Sequence, residues 1–470
     1  MPEPTTAYSE TENLADDTTP ATGDARDDIK AALAKMATKR PIIEVFDKYY
    51  LGKHPFNFSS EKFTTKFADR LRKFRDNLCP TCVKAPADRL EILGFSSDKK
   101  SEVYNQSWAA WKYSEMPRLS KRVHRDAFRT GDGFVLVWAD EDGKARMYPE
   151  NPGNCTVFYD METGKVDRGA KLWRNGKFIY LTLYYRDRVE KYITKNPQSA
   201  GNIPTTAAAF TKRNIPGEVW PLPNPIGVCP LFHFGLETSI LNDVIPLNDA
   251  LNKTIADLLV SSESNSLRQR WTSGLAYEIN PETGKQIIPF ENASQWFAAK
   301  DFEAKFGQFP EGDLKHFLDS ADFFVDQVSS VSGIPKYYFK LEGGSMPSGE
   351  ALRKAESRFT ALIKDAQLDF GETWAQVVRF ALEADSTPVK TEAIETQWSP
   401  ADPMSENEKL DAGAKKKNLG VSETRILSEI GYSDADIEAM QTENADKAAA
   451  AADNFAKSFN AGKPIGGPPK

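Results

Sequence analysis

Cysteine is scarce in this chain, and the scarcity excludes a fold stapled by disulfides. Four cysteines in 470 residues supply no framework. Cys79 and Cys82 form a lone C-x-x-C (CPTC), while Cys155 and Cys229 are solitary. A zinc site would need two more ligands at matching spacing, and a redox pair would need a thioredoxin-like βαβ setting that is not apparent. Buried, reduced thiols near a helix start are expected instead. Histidine is as rare. His54, His124, His233 and His316 lie far apart and make no metal-ligand pair, and His124 and His233 stand beside apolar residues, as core or interface histidines do. No apolar run approaches the roughly 18 residues that span a membrane. The N-terminus has neither the basic nor the apolar region of a secretory signal, so a cytoplasmic product is expected. Basic charge does not dominate either. Sixty Lys and Arg against sixty-seven Asp and Glu give −7, the wrong balance for tight binding to nucleic-acid phosphates.

Catalytic signatures are also missing. There is no G-x-x-x-x-G-K-[ST], G-x-G-x-x-G or G-x-S-x-G, which disfavours a P-loop motor, a dinucleotide enzyme and a serine hydrolase. DEDGK (140–144) superficially resembles the acid-plus-lysine cluster of a metal nuclease, but Asp142-Gly143 between alternating runs reads as a hairpin tip. DFGE (369–372) has the kinase-like triplet without a catalytic loop before it, and falls inside a helical pattern. No catalytic constellation, cofactor or metal is expected.

What is present is length and periodicity. A chain of 470 residues exceeds one ordinary core, so two or more subdomains are expected. Residues 1 to about 25 are acidic, Thr-rich and without apolar period, as a disordered tail is. A first helix is expected over 28–51. EKFTTKFADRLRKFRDNLC gives an amphipathic helix with Phe63, Phe67, Leu71, Phe74 and Leu78 on one stripe, and Lys62, Lys66, Arg70 and Lys73 as a solvated basic row. A Trp-rich helix with Trp108, Trp111 and Tyr113 follows. Residues 134–234 read as antiparallel β, with turns at Asp142-Gly143, Thr163-Gly164 and Asn175-Gly176, and another such turn falls later at Thr283-Gly284.

Two helices, 246–266 and 313–332, then bracket a β module of about 45 residues. Pro246 fits the first turn of the former, whose second face carries Asn248, Asn252, Lys253 and Ser261. RQRWTSGLAYEI, KQIIPF and SQWFAAK read as short strands between them. The most informative run comes next: SGIPKYYFKLEGGSMPSGEALRKAESRF. Gly333, Pro335, Gly343, Gly344, Pro347 and Gly349 disfavour regular structure. From Ser348, an N-cap candidate with Glu350 in the first turn, a stripe begins. It runs Leu352, Ala355, Phe359, Leu362, Ile363, Ala366, Phe370, Trp374, Val377 and Val378. Roughly 35 residues make a rod of about 50 Å, with Gly371 a point where it could bend. Pro400 and Pro403 mark a linker. Short helices follow, with Ser433 and Asp436 as a capping-box-like pair, and the last 25 residues look flexible.

IPKYYF followed by PSGEALRKAE resembles the loop-to-helix segment in the portal proteins of tailed double-stranded-DNA phages, siphophage type. The order NLCPTCVKAPADRLEILGF, RVHRDAFRTGDGFVLVW with its hairpin, then CPLFHF leading to VIPLNDALNKTIADLL, is similar to that family's order over about residues 41–440. The resemblance implies an α+β, helix-rich subunit assembling into a ring. It would have an N-terminal wing (28–245), stem helices (246–266 and 313–332), a small β clip (267–312), a tunnel loop (333–347), a long wing helix (348–384), a helical crown (385–445) and flexible ends (1–27 and 446–470). It implies a non-enzymatic virion component at the portal vertex, by resemblance a dodecamer. Its partners would be the major capsid and scaffold proteins, the terminase, the head-to-tail adaptor, and double-stranded DNA passing without sequence-specific binding. A mildly acidic conduit suits that passage. Lys340, Glu342, Gly343, Gly344, Ser345 and Met346 would face the channel. Ser348, Glu350 and Arg353 would form the loop-to-helix junction, and Arg268, Arg270, Trp271 and Trp296 the clip contacts. The alternatives are a metal-dependent nuclease of the phage head, and another structural ring protein of the virion.

Overall fold

Helix α1 (Ala25–Tyr50) has Asp27 and Asp28 in its first turn and carries Pro41 inside it; it begins three residues before the expected helix start at 28. The structure, a computed structural model, describes residues 25–56, 75–96, 101–266, 270–273, 279–284, 303, 305–308, 313–340, 349–387, 394–401, 406–430, 437, 439–445, 447 and 449–451. The chain divides into two units, Met1–Ala401 and Asp402–Lys470.

In the first unit α1 is pinned to a β-sheet through its first turns. Buried Asp28 pairs with Arg168 at 3.0 Å and accepts from Tyr185 Oη at 2.7 Å. Ile29, Ala32, Leu33 and Met36 pack there on Phe158, Leu172, Ile179 and Leu181. The expected amphipathic helix over 61–79 lies mostly outside the described residues, but its end is not helical. Residues 75–78 are irregular and Leu78 is the N-cap of α2 (Cys79–Arg89). Polar groups from far along the chain hold this segment. Asn252 exchanges two hydrogen bonds with Asp76 (2.9 and 2.8 Å), and Leu78 N donates to Asn248 Oδ1 at 3.0 Å.

Strand β1 (Ile92–Gly94) precedes α3 (Glu102–Tyr113) and α4 (Met116–Thr130). Ser101 caps α3 by accepting from Tyr104 N at 3.1 Å. The β-rich region then forms as expected, as two sheets. Strands β2 (Asp132–Ala139), β3 (Ala145–Glu150) and β10 (Leu231–Gly235) make an antiparallel sheet of order β10-β2-β3. Strands β4 (Cys155–Tyr159), β5 (Val166–Asn175), β6 (Phe178–Tyr185), β7 (Arg188–Thr194) and β8 (Phe210–Lys212) run in chain order, with β9 (Leu222–Pro223) also on β7. The expected turns close these hairpins, with Gly143, Gly164 and Gly176 at φ of +76°, +63° and +59°. β2 is covered on both faces: Val135 and Val137 enter the main helical core, while Phe134 and Leu136 enter the seam with the second sheet.

Helix α5 (Leu241–Ser266) starts five residues earlier than expected, which leaves Pro246 inside the helix. Leu241, Val244 and Ile245 are fully buried, and Ser239 Oγ accepts from Leu241 N at 3.1 Å, so burial and a cap extend the helix past its proline. Asn248 and Asn252, read as part of a polar face, are buried because they clamp residues 76–78. Strands β11 (Arg270–Ser273) and β12 (Lys305–Gln308) pair antiparallel, and α6 (Lys315–Ser332) returns along α5. Thr283-Gly284 is a turn, with Gly284 at φ +60°. KQIIPF and SQWFAAK lie outside the described residues.

Helix α7 (Gly349–Ala384) is the long helix read from the sequence. Phe359, Ile363, Ala366, Phe370, Trp374, Val377 and Val378 are buried along it, but Ala355 is exposed and Glu356 takes the inward position. Residues 394–401, expected to begin the crown, turn back onto this body. Strand β13 (Gln397–Trp398) pairs with β1, and Ile394 is fully buried. The second unit contains α8 (Glu406–Asn418) and α9 (Glu423–Ile430), short helices after the Pro400–Pro403 linker with Gly420 between them, as expected, although α8 starts nine residues before Lys415. Helix α8 has little apolar period. Its contact is a notch at Gly413, where a Cβ would lie 2.9 Å from Ile426. Residues 447 and 449–451, expected in a flexible tail, are helical, as their alanine run favours. Ser433 and Asp436 lie outside the described residues.

Candidate functional site

Of the residues expected to face the channel, Lys340 is described. Glu342, Gly343, Gly344, Ser345, Met346 and Ser348 lie outside the described residues, as do Arg268 and Trp296 of the expected clip. Arg270 and Trp271 stand on β11 opposite Gln308 and Gly307. Glu350 is in the first turn of α7, and Arg353 is exposed one turn on. Along the chain, β11 precedes α6 and Lys340 follows it; the 18 residues of α6 span about 27 Å.

The root of the loop is built in detail. Gly333 ends α6 at φ +70°, the conformation glycine adopts without strain. Ile334 and Pro335 are buried, and Ser329 Oγ donates to Ile334 O at 2.6 Å. A 3-10 turn (Lys336–Tyr338) follows. Lys336 pairs with Asp326 and Lys340 with Asp322, each at 2.6 Å, lacing the turn antiparallel along α6. On the inner side Arg89 donates to Tyr338 Oη at 2.6 Å and Glu356 Oε1 at 3.2 Å. Tyr337 donates to the same Glu356 oxygen. Arg89 also reaches the carbonyl of Ala401 at 3.3 Å and lies over the Phe359 ring. Burial would lower the Arg89 pKa, but Tyr338 and Glu356 outweigh it and raise it. Burial, then the Glu356 carboxylate, pushes the Tyr337 hydroxyl up.

Sequence reading missed Arg89 and Glu356. A stripe through Phe359 and Ile363 admits either 355 or 356 one turn earlier, and alanine was the apolar choice of the two. Gly371 also has a different role from the one expected. A Cβ there would lie 3.0 Å from Trp398 Nε1, and Thr396 Oγ1 donates to Gly371 O at 2.6 Å. The glycine admits the 394–398 strand against the helix.

The sites considered for catalysis are structural. Asp140 accepts backbone hydrogen bonds from Asp142 and Lys144 at 3.0 Å each, and Tyr113 donates to its other oxygen. DEDGK is therefore a hairpin tip. DFGE lies within α7. All four cysteines are free and buried, and burial pushes Cys82 and Cys229 up to about 12 and the other two higher. His124 is fully buried, accepting from Trp374 Nε1 at 2.9 Å. His233 bridges Asp132 Oδ1 (2.8 Å) and Tyr159 Oη (2.6 Å). Burial opposes the Asp132 charge, but His233 and Lys39 hold its carboxyl below the usual range. Among the described residues no group of three or more His, Cys, Asp or Glu is placed to hold a metal, and no helix is long and apolar enough to cross a membrane.

The portal protein of Mycobacterium phage D29 is 23% identical over 399 residues, and that of Mycobacterium phage L5 is 25% identical over 391 residues. Each alignment covers 78% of this chain and 78% of the relative. Among solved structures, a chain from the neck of an empty GTA particle is similar with a TM-score of 0.43 and 11% identity, over 80% of this chain and 95% of that one. The family described as "Phage portal protein, SPP1 Gp6-like" matches residues 29–450. The chain belongs to this phage portal protein family.

Proposed function

We propose that the chain works as one subunit of a ring, a dodecamer, set at one capsid vertex, through which double-stranded DNA enters and leaves. One observation carries this reading: the family match over 29–450 spans both paired helices, the β pair between them, the loop and the long helix together. In this reading α5 and α6 are the stem, β11 and β12 belong to the clip, residues 341–347 are the tip of the tunnel loop, and the second unit belongs to the crown. The clip, with Arg268, Arg270, Trp271 and Trp296, docks the terminase and later the head-to-tail adaptor. The capsid and scaffold proteins hold the outer body. The work is geometric and uses no cofactor.

Two features support these roles. Leu259 on α5 and Leu318, Phe323 and Val331 on α6 are large apolar side chains exposed in the single chain, as surfaces that pack against neighbouring subunits are. The loop root is also fixed on both sides, by the Lys–Asp lacing and by Arg89, as an anchored base for the loop requires. Negative-stain microscopy with light scattering on the same sample tests the ring. Closed rings with a hole near the roughly 20 Å width of duplex DNA are expected. A chain that stays monomeric at high concentration with scaffold present would overturn the reading. Replacing Gly343 and Gly344 with Pro is expected to leave rings intact and reduce DNA filling; normal filling would remove the loop from the mechanism.

A further inference from the structure

The two sheets of the first unit leave an open cleft of about 290 Å³ that the channel function does not use. Its walls are aromatic. Trp138 and Tyr148 come from the three-stranded sheet, Trp173 and Tyr184 from the other. Its rim is cationic. Lys171 lies over Trp173 at 5.4 Å, Lys191 over Trp138 at 5.8 Å, and Arg213 over Tyr180 at 4.9 Å. Glu150 and Glu218 pair with the two lysines, while Arg213 has no carboxylate partner among the described residues. Cations stacked on ring faces beside an apolar floor favour a ligand that brings one aromatic group and flanking carboxylates.

The chain itself contains such a segment. Residues 1–24 hold six Asp and Glu and no Lys or Arg. Their one aromatic residue is Tyr8, followed closely by Glu10 and Glu12. We propose that the cleft is the docking site of the chain's own N-terminal segment, with Tyr8 between Trp138 and Trp173 and the glutamates against Arg213 and Lys191. Reach permits it. Tyr8 lies 17 residues before Ala25, about 55 Å of extended chain. Helix α1 starts on the opposite face of the six-stranded sheet, and crossing its width, five strands because β8 and β9 both flank β7, takes only about 19 Å.

Photo-cross-linking of the full chain tests this, with p-benzoylphenylalanine in place of Tyr8 and the products mapped by mass spectrometry. Cross-links to peptides containing Trp138, Tyr148 or Trp173 are expected. Their yield should fall at least five-fold in about 1 M salt, which screens the rim charges, and in the Arg213→Glu variant. Arg213→Ala, which adds no new charge, should give a smaller loss, and matching melting curves show that both variants are folded. Mixing heavy-isotope and normal chains separates contacts within one chain from contacts between two. Cross-links that map elsewhere, that join two chains, or that keep their yield in Arg213→Glu overturn the proposal. The test needs no assembled ring, so its outcome is independent of the channel reading.

Discussion

Arg89 reaches one oxygen of the buried Glu356 carboxylate, a tyrosine hydroxyl and the carbonyl of Ala401 at once. Removing the guanidinium would strand the Glu356 charge, which is 3% exposed. Arg89→Ala is therefore expected to cost about 3–5 kcal/mol, the range for breaking one side of a buried pair. The double variant Arg89→Met/Glu356→Leu should recover most of that loss, as chemical denaturation of both proteins would reveal. His124 sets an acid limit. Burial, then the nearby Lys121 charge, lowers its ring pKa to about 3 from 6.5. The neutral ring's contribution is whole above about pH 6.5 and is lost as pH falls towards 3, at about 1.4 kcal/mol per pH unit. His124→Gln keeps an acceptor for Trp374 but does not titrate. Its melting temperature should fall less than wild type between pH 6.5 and 4.

At the scale of elements, Gly371 distinguishes a hinge from a notch. A glycine that only weakens a helix should give about 1 kcal/mol on replacement by alanine. Here the new Cβ would press on Trp398, so Gly371→Ala is expected to be close to neutral. Gly371→Leu should destabilise and open residues 394–401 to proteolysis, which a limited digest would show. The sequence made the long helix, the β region and its glycine turns legible because each depends on local period or a positive φ. It did not reveal what depends on distant partners. The early start of α5 rests on Ser239 and a buried core, the inward Glu356 on Arg89, and the clamping role of Asn248 and Asn252 on a segment about 170 residues away. The candidate site was legible as a loop between two helices, whereas its anchoring depends on side chains that carry no pattern.

For the whole molecule, the exposed apolar side chains of α5 and α6 give a direct test of assembly. Phe323, 55% exposed in the single chain, should tolerate aspartate as a monomer, since surface substitutions usually shift stability by less than about 0.5 kcal/mol. Phe323→Asp is expected to melt within a few degrees of wild type yet form no rings in light scattering. A variant that still assembles would move the subunit contact elsewhere. The cysteines bear on how such assemblies can be followed. All four thiols are buried with raised pKa values, so thiolate, the species that reacts with maleimides, is scarce near neutral pH. The native chain is thus a silent background for probe chemistry: one cysteine introduced at an exposed position such as Lys340 would carry the only dye on each subunit, and distances across an assembled particle could be read without first removing the natural thiols.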